Sequence, residues 1–171
     1  MVQNRSCDEA QVIPPARIAI LVGSKNDFKF FDGARSKCDA LGIDFEIHAL
    51  SAHRTPEQTR RFVLRAEDRG IRIFIAAAGA AAHLAGFVAA HSTLPVIGVP
   101  LNTSPLLGMD SLLSTVQMPE GIPVACMAIG SAGATNAVLF AAAILALSDK
   151  GLAARLKKHR GELAARILSP Q

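Results

Sequence analysis

The sequence predicts an α/β fold with a parallel sheet, and three features support this. Short apolar runs alternate along the chain with segments of helical periodicity. The 171 residues suit one domain, and neither an internal repeat nor a linker divides them. Polar or glycine-rich segments follow the apolar runs, as ligand-binding loops follow the strands of such sheets. We therefore expect a three-layer, doubly wound parallel sheet with right-handed crossovers, flavodoxin-like or Rossmann-like in kind.

The elements can be assigned in order from these patterns. The apolar runs predict strands at residues 16–22, 45–50, 71–76, 95–99 and 124–129. Helical periodicity predicts helices at residues 27–41, 56–69, 82–91, 110–115 and 134–147. Gly42 and Gly70 follow the first two helices, where glycine commonly ends a helix. The chain then divides into a loose N-terminal arm (1–15), an α/β domain (16–147) and a C-terminal helix (148–171) that extends from the core.

The C-terminal segment is basic and amphipathic. Its apolar residues recur at roughly helical spacing, at Leu152, Leu156, Leu163 and Ile167. This pattern favours a surface helix over an arm that binds nucleic acid. The whole chain has a net charge of +4, but it lacks Trp and Tyr, so it has few rings on which bases could stack. We expect no nucleic-acid partner, and the positive charge suits a small anionic substrate.

The middle of the chain is almost uncharged. Between Ile73 and Ser148 the only charged residues are Asp110 and Glu120. The charge-free stretch 121–148 exceeds the length of a bilayer span, but it contains proline and several glycines, and its apolar residues are mostly alanine. We therefore expect no membrane segment. The alternative is burial between subunits, because a chain this small has much surface for its volume, and this predicts a homo-oligomer.

The cysteines and the N-terminus bear on the compartment. Cys7, Cys38 and Cys126 are odd in number and widely spaced, which indicates neither a disulfide framework nor a zinc site. The first fifteen residues lack the apolar core of a secretory leader. We expect a cytoplasmic protein.

The most informative segment follows the second predicted strand and reads Ser51-Ala52-His53-Arg54-Thr55-Pro56. It places a proton-transfer group, His53, beside an anion-binding group, Arg54, at a strand-to-helix turn. Thr55 as N-cap, Pro56 at the first helical position and Gln58 in a capping box would begin the next helix. Taken alone, the two side chains could equally be ordinary exposed loop residues.

Other strand ends carry weaker signals. After the first strand, Ser24 and the amides of the next helix could bind an anion, and Asp27 could accept hydrogen bonds from a ribose diol. Alternatively, Ser24 only caps that helix and Asp27 only offsets its dipole. After the third strand, His83 lies in an alanine-rich loop, where a structural role is the commoner one. No P-loop, GxGxxG or GxSxG motif is present, and no cluster has metal-ligand spacing.

Together these segments resemble the PurE family of purine biosynthesis. The resemblance spans residues 16–147, and the pieces that carry it appear in the family's order. They are Gly23-Ser24 with Asp27, the hexapeptide at 51–56, Ala81-Ala82-His83-Leu84, Pro95 to Pro100, Asp110-Ser111-Leu112, Val116 to Pro119 and Ala132 to Ala137. The histidine in the third loop is similar to class I of the family, N5-carboxyaminoimidazole ribonucleotide mutase.

The resemblance implies a reaction and a set of roles. A carboxylate moves from the exocyclic nitrogen of an aminoimidazole ribonucleotide to ring carbon C4, without metal, ATP or organic cofactor. His53 would be the general acid and base. Ser24 and Arg54 would hold the phosphate, and Asp27 the ribose. The substrate site would also include Ser51, Ala52, Gly79, Ala80, His83 and Leu84, with the loop from Gly79 to Leu84 shaping a CO2 pocket. The family assembles as octamers with sites at subunit junctions.

The third loop departs from the family pattern. Ala77 and Ala80 stand where the family usually has glycine, and Ala85 where it has proline. If position 80 needs a positive φ, alanine there costs roughly 1 kcal/mol. Two alternatives stay open at this point. One is a paralogue acting as mutase, carboxylase or decarboxylase on a related azole ribonucleotide. The other is an oligomeric nucleotide-binding protein without turnover, against which the presence of both His53 and Arg54 argues.

Overall fold

A computed structural model describes residues 17–169 of the chain, so the predicted N-terminal arm lies outside the described residues. Five strands form one sheet: β1 (Ile18–Val22), β2 (Phe45–Ala49), β3 (Ile73–Gly79), β4 (Val96–Leu101) and β5 (Ala125–Cys126). All neighbouring strands pair in parallel, in the order β2-β1-β3-β4-β5. The predicted parallel α/β sheet is confirmed.

Within residues 17–169, six α-helices accompany the sheet: α1 (Asp32–Leu41), α2 (Pro56–Leu64), α3 (Leu84–Ala89), α4 (Met109–Val116), α5 (Gly130–Leu145) and α6 (Lys150–Leu168). Helices α1 and α5 pack on one face, around a core that includes Phe31, Ile75 and Val138. Helices α2 and α3 cover the other face, around Val63 and Phe74. The result is the predicted three-layer arrangement.

Most boundaries differ from the sequence prediction by a few residues; the strand predicted at 124–129 is reduced to Ala125–Cys126, and the helix predicted at 56–69 ends at Leu64. The predicted helix 27–41 is a 3-10 helix over Lys25–Phe31 followed by α1. Strand β3 continues to Gly79, because its alanines pair with β4 up to the contact of Gly79 with Leu101. Alanine is uncommon in strands, so the apolar pattern alone ended this strand too early. Helix α5 begins at Gly130, within a glycine-rich stretch typical of a loop.

The predicted capping box at the start of α2 is wrong. Thr55 occupies the N-cap position, but its side chain makes no cap hydrogen bond. Its hydroxyl instead accepts from the Ser51 amide at 2.9 Å and lies 3.2 Å from the Ser51 carbonyl, to which it can donate. The Thr55 hydroxyl thus stabilises the preceding turn and does not cap the N-terminus of α2.

The C-terminal helix is anchored at its start and extends from the core. Asp149 accepts a hydrogen bond from the Leu152 amide at 2.9 Å, and Leu152 is buried against the core. Arg155 donates to the carbonyl of Leu41 at 2.7 Å. Every residue from 161 to 169 is exposed. None of the helices described within 17–169 combines the length and apolarity that crossing a membrane requires.

Candidate active site

A cavity of about 670 Å³ opens at the carboxyl ends of β1, β2, β3 and β4. The loops after these four strands line it, as expected for a doubly wound sheet. It gathers all ten residues that the sequence assigned to the site: Ser24, Asp27, Ser51, Ala52, His53, Arg54, Gly79, Ala80, His83 and Leu84. Of these, Leu84 is almost fully buried, so its side chain belongs mainly to the core beneath the cavity.

The turn after β2 is organised by Ser51. Its hydroxyl accepts hydrogen bonds from the amides of His53, at 3.3 Å, and Arg54, at 3.1 Å. Its carbonyl is within hydrogen-bond reach of the Thr59 hydroxyl, and Thr59 is fully buried. These bonds fix the backbone of the turn and leave the side chains of His53 and Arg54 exposed in the cavity.

His53 and His83 are in direct contact. Nε2 of His53 lies 2.8 Å from Nδ1 of His83, and the two rings are nearly perpendicular, with an interplanar angle of 87°. A hydrogen bond at this distance requires that one of the two nitrogens carries the proton and the other accepts it. The structure therefore places His83 beside His53, the predicted proton-transfer group. Its sequence context, an apolar loop, did not reveal this.

The topology explains why the two histidines meet. Strand β1 lies between β2 and β3 in the sheet, so the loops after β2 and β3 flank the end of β1. His53 follows β2 and His83 follows β3, and their side chains meet above that end. The contact joins residues thirty positions apart, and only the strand order brings them together.

Arg54 and Asp27 form the charged side of the cavity. Arg54 Nη2 donates to the carbonyl of Gly23 at 2.5 Å, which holds the guanidinium over the loop after β1. Asp27 is only 7% exposed. Burial raises the pKa of Asp27 above its ordinary value, while a hydrogen bond with the Ser24 backbone and the charges of Arg54 and Lys29 act in the opposite direction.

Ser24 caps the 3-10 helix that follows β1. Its hydroxyl accepts from the amide of Asn26 at 3.3 Å, at the start of the 3-10 helix. It also lines the cavity, so capping and ligand contact are compatible. The same helix brings Lys29 and Phe30 to the cavity, which the sequence analysis missed. An α-helix from residue 27 would place these side chains differently, and the 3-10 geometry has no clear sequence signal.

The loop after β3, residues 79–83, has unusual backbone geometry. Ala80 has φ = +51°, and it is one of two non-glycine residues with positive φ within 17–169. Gly79 lies so close to Thr103 that a Cβ added to it would come within 1.7 Å of the threonine Oγ1. Position 80 therefore has the positive φ at which alanine is strained and glycine is not.

Comparisons with known proteins identify the family of this chain. A family model described as AIR carboxylase matches residues 17–166. The chain belongs to the AIR carboxylase family. It is 52% identical over 143 residues to the N5-carboxyaminoimidazole ribonucleotide mutase of Brucella melitensis, covering 84% of this chain and 88% of that protein. It is 48% identical over 153 residues to the mutase of the same name from Saccharolobus solfataricus, covering 90% and 96%.

Solved structures give the same family. The crystal structure of Treponema denticola PurE matches with a TM-score of 0.79 and 31% identity, covering 88% of this chain and 93% of that one. The resemblance to the PurE family drawn from the motifs is therefore confirmed, and so is the α/β fold that it implied.

Proposed function

We propose that this chain is an N5-carboxyaminoimidazole ribonucleotide mutase, an isomerase of purine biosynthesis. Relatives that carry this name are 48–52% identical to it over most of its length. The observation that carries the proposal is the content of one cavity: the histidine His53, the guanidinium of Arg54 and the buried carboxylate of Asp27. These supply a proton-transfer group, an anion-binding group and a hydrogen-bond acceptor for hydroxyl groups.

The proposed reaction balances without a co-reactant. The C–N bond of the carbamate breaks, CO2 is released into the cavity, and the exocyclic nitrogen takes up a proton. Ring carbon C4 then attacks CO2, and the new C–C bond forms as C4 loses its proton. His53 gives and takes these protons, since a histidine can act in both directions near neutral pH. His83, in contact with His53 Nε2, couples the tautomers of the two rings, because a proton on one of the facing nitrogens requires a free lone pair on the other.

The substrate lies with its phosphate toward Ser24 and Arg54 and its ribose hydroxyls toward Asp27. Arg54 already spans from the β2 loop to the β1 loop, so it can bind an anion placed between them. The loop of residues 79–83 covers the imidazole and the released CO2. Excluding water there prevents loss of CO2 to the solvent.

The chain acts as a homo-oligomer, proposed to be an octamer. The β4–α4 segment exposes five large apolar side chains, which a monomer would leave in water: Leu106, Leu107, Met109, Leu113 and Val116. Light scattering of the purified protein measures the subunit number directly. We also propose a cytoplasmic location, with which the free thiols of Cys38 and Cys126 agree.

The test uses substrate labelled with ¹³C in the carbamate, in unlabelled bicarbonate. A mutase that retains CO2 forms the C4-carboxylated product with the label kept. Loss of label would instead indicate a lyase-type carboxylase that exchanges CO2 with the solvent. No conversion by a folded protein would refute the proposal.

His53→Asn tests the role of the histidine. Turnover should fall by at least 100-fold, the range typical of a general acid or base, while binding of the nucleotide persists. His159→Asn is the matched control, because His159 lies on α6 and does not line the cavity. Normal turnover by His53→Asn would refute the assignment.

A second candidate is a paralogue that acts on a related azole ribonucleotide. The methyl group of Ala80 favours it, because this exposed residue lines the cavity where the family usually has glycine. Ala80→Gly should then raise turnover of the purine intermediate. Unchanged turnover would remove the reason for this candidate.

A further inference from the structure

Ser114 contacts the loop of residues 79–83 from outside the cavity. It lies half-buried on α4, and its hydroxyl accepts a hydrogen bond from the amide of Ala82 at 3.0 Å. The same hydroxyl is 2.9 Å from the carbonyl of Asp110 and 3.4 Å from that of Ala80, so it can donate to either. A side chain on α4 is therefore bonded to the backbone directly before His83.

The loop has few other restraints. Ala80, Ala81 and His83 are exposed, and the backbone of Ala80 is left-handed. Two backbone hydrogen bonds involve His83: its amide donates to the Ala81 carbonyl at 2.8 Å, and its carbonyl accepts from the Phe87 amide at 2.9 Å. Within residues 17–169, Ser114 is the only side chain that hydrogen-bonds to the backbone of this loop. Ser114 thus restrains, from a different helix, the backbone directly before His83.

We propose that Ser114 is a positioning residue for the reaction, acting through His83. Its hydroxyl holds the Ala82 amide so that His83 Nδ1 stays at hydrogen-bond distance from His53 Nε2. The inference rests on the proposed function. A displacement of about 1 Å in a reacting group can cost about 100-fold in rate, so loss of one loop contact can be measured in turnover.

The test compares three variants. Ser114→Ala removes the hydroxyl, and Ser114→Thr keeps it. Ser36→Ala is the matched control, because Ser36 also bonds to the carbonyl four residues earlier, Asp32, at 3.2 Å, but on α1. If Ser114→Ala fails to fold, Ser114→Cys replaces it, since a thiol fills similar space and is a weaker hydrogen-bonding group.

We expect Ser114→Ala to lower kcat at least tenfold while KM stays within about twofold. The KM is spared because Ser24, Asp27 and Arg54 lie on other loops. Ser114→Thr should keep kcat within a few-fold of the parent chain, and Ser36→Ala should match the parent in both constants. Long-range ¹H–¹⁵N spectra of the histidine rings should show one tautomer for His53 and for His83 in the parent chain, and mixed tautomers in Ser114→Ala.

The result that would overturn the inference is a normal kcat in folded Ser114→Ala, or equal impairment of Ser114→Ala and Ser114→Thr. Failure of the proposed function is distinguishable, because it appears as inactivity of the parent chain. If the parent chain is inactive, the histidine spectra still test the positioning role. A tautomer pattern unchanged by Ser114→Ala overturns that role, and a pattern that becomes mixed supports it.

Discussion

Replacing Ala80 with glycine should stabilise the folded chain. Ala80 has φ = +51°, a conformation in which the Cβ of an L-residue approaches the carbonyl oxygen of the same residue. This strain costs roughly 1–2 kcal/mol, and glycine is free of it. Glycine also makes the unfolded chain more flexible, at a cost of about 0.4–1 kcal/mol. Taken at the middle of both ranges, the net gain is about 0.8 kcal/mol in the free energy of unfolding.

Because Ala80 is exposed, the change in the free energy of unfolding contains no contribution from a cavity in the core. Its methyl group faces solvent in the cavity, so removing it leaves no void in the core. For a domain of this size a gain of 1 kcal/mol raises Tm by about 2–4 °C. Urea unfolding at fixed protein concentration measures the change, and fixed concentration is needed because association contributes to apparent stability.

Ala81→Gly is the matched control. Ala81 is the next residue, it is also exposed, and its φ is not positive. Glycine there gains nothing in the folded state and should cost about 0.4–1 kcal/mol through the unfolded chain. The two variants should therefore move the urea midpoint in opposite directions. Equal destabilisation by both would show that the loop does not hold Ala80 in the left-handed region.

Three further predictions concern ionisable groups. The hydrogen bond from the Leu152 amide, and after it Arg17, lowers the pKa of Asp149. Asp149 therefore stabilises the fold at pH values above its pKa in the unfolded chain, and this stabilisation is lost as pH falls through its pKa in the folded chain. Asp149→Asn should thus lower the urea midpoint at pH 7, and a difference undiminished at pH 3 would contradict this. Burial raises the pKa of Asp27, so its ionisation opposes folding as pH rises above the unfolded value of about 4. Asp27→Asn should raise the midpoint at pH 7 and not at pH 3. Burial raises the pKa of Cys38 to about 12, so a disulfide reagent at pH 8 should modify this thiol only after urea unfolds the chain.

The sequence predicted the order of the strands along the chain and the residues that line the cavity better than the local hydrogen bonds around them. Buried parallel strands are continuous apolar runs, and β1 matches its predicted end at Val22. Sequence rules for local features, such as helix caps, were less reliable. Thr55 fits the capping pattern, yet its hydroxyl bonds back to Ser51, because an alternative partner lies equally close in the chain. Lys29 and Phe30 were missed because seven residues are too few to distinguish the 3.0-residue period of a 3-10 helix from the 3.6-residue period of an α-helix.

The contact between His53 and His83 could not be predicted from the sequence, and the strand order of the sheet explains why. Each histidine can be placed at the end of a strand from the local pattern. Their contact depends on the order β2-β1-β3, because that order puts both loops beside the end of β1. The chain leaves β1 toward β2 on one side and continues from β3 to β4 on the other, so the sheet changes direction between β1 and β3. A crevice opens at such a switch point. Loop chemistry and strand order together therefore locate the site, and neither does so alone.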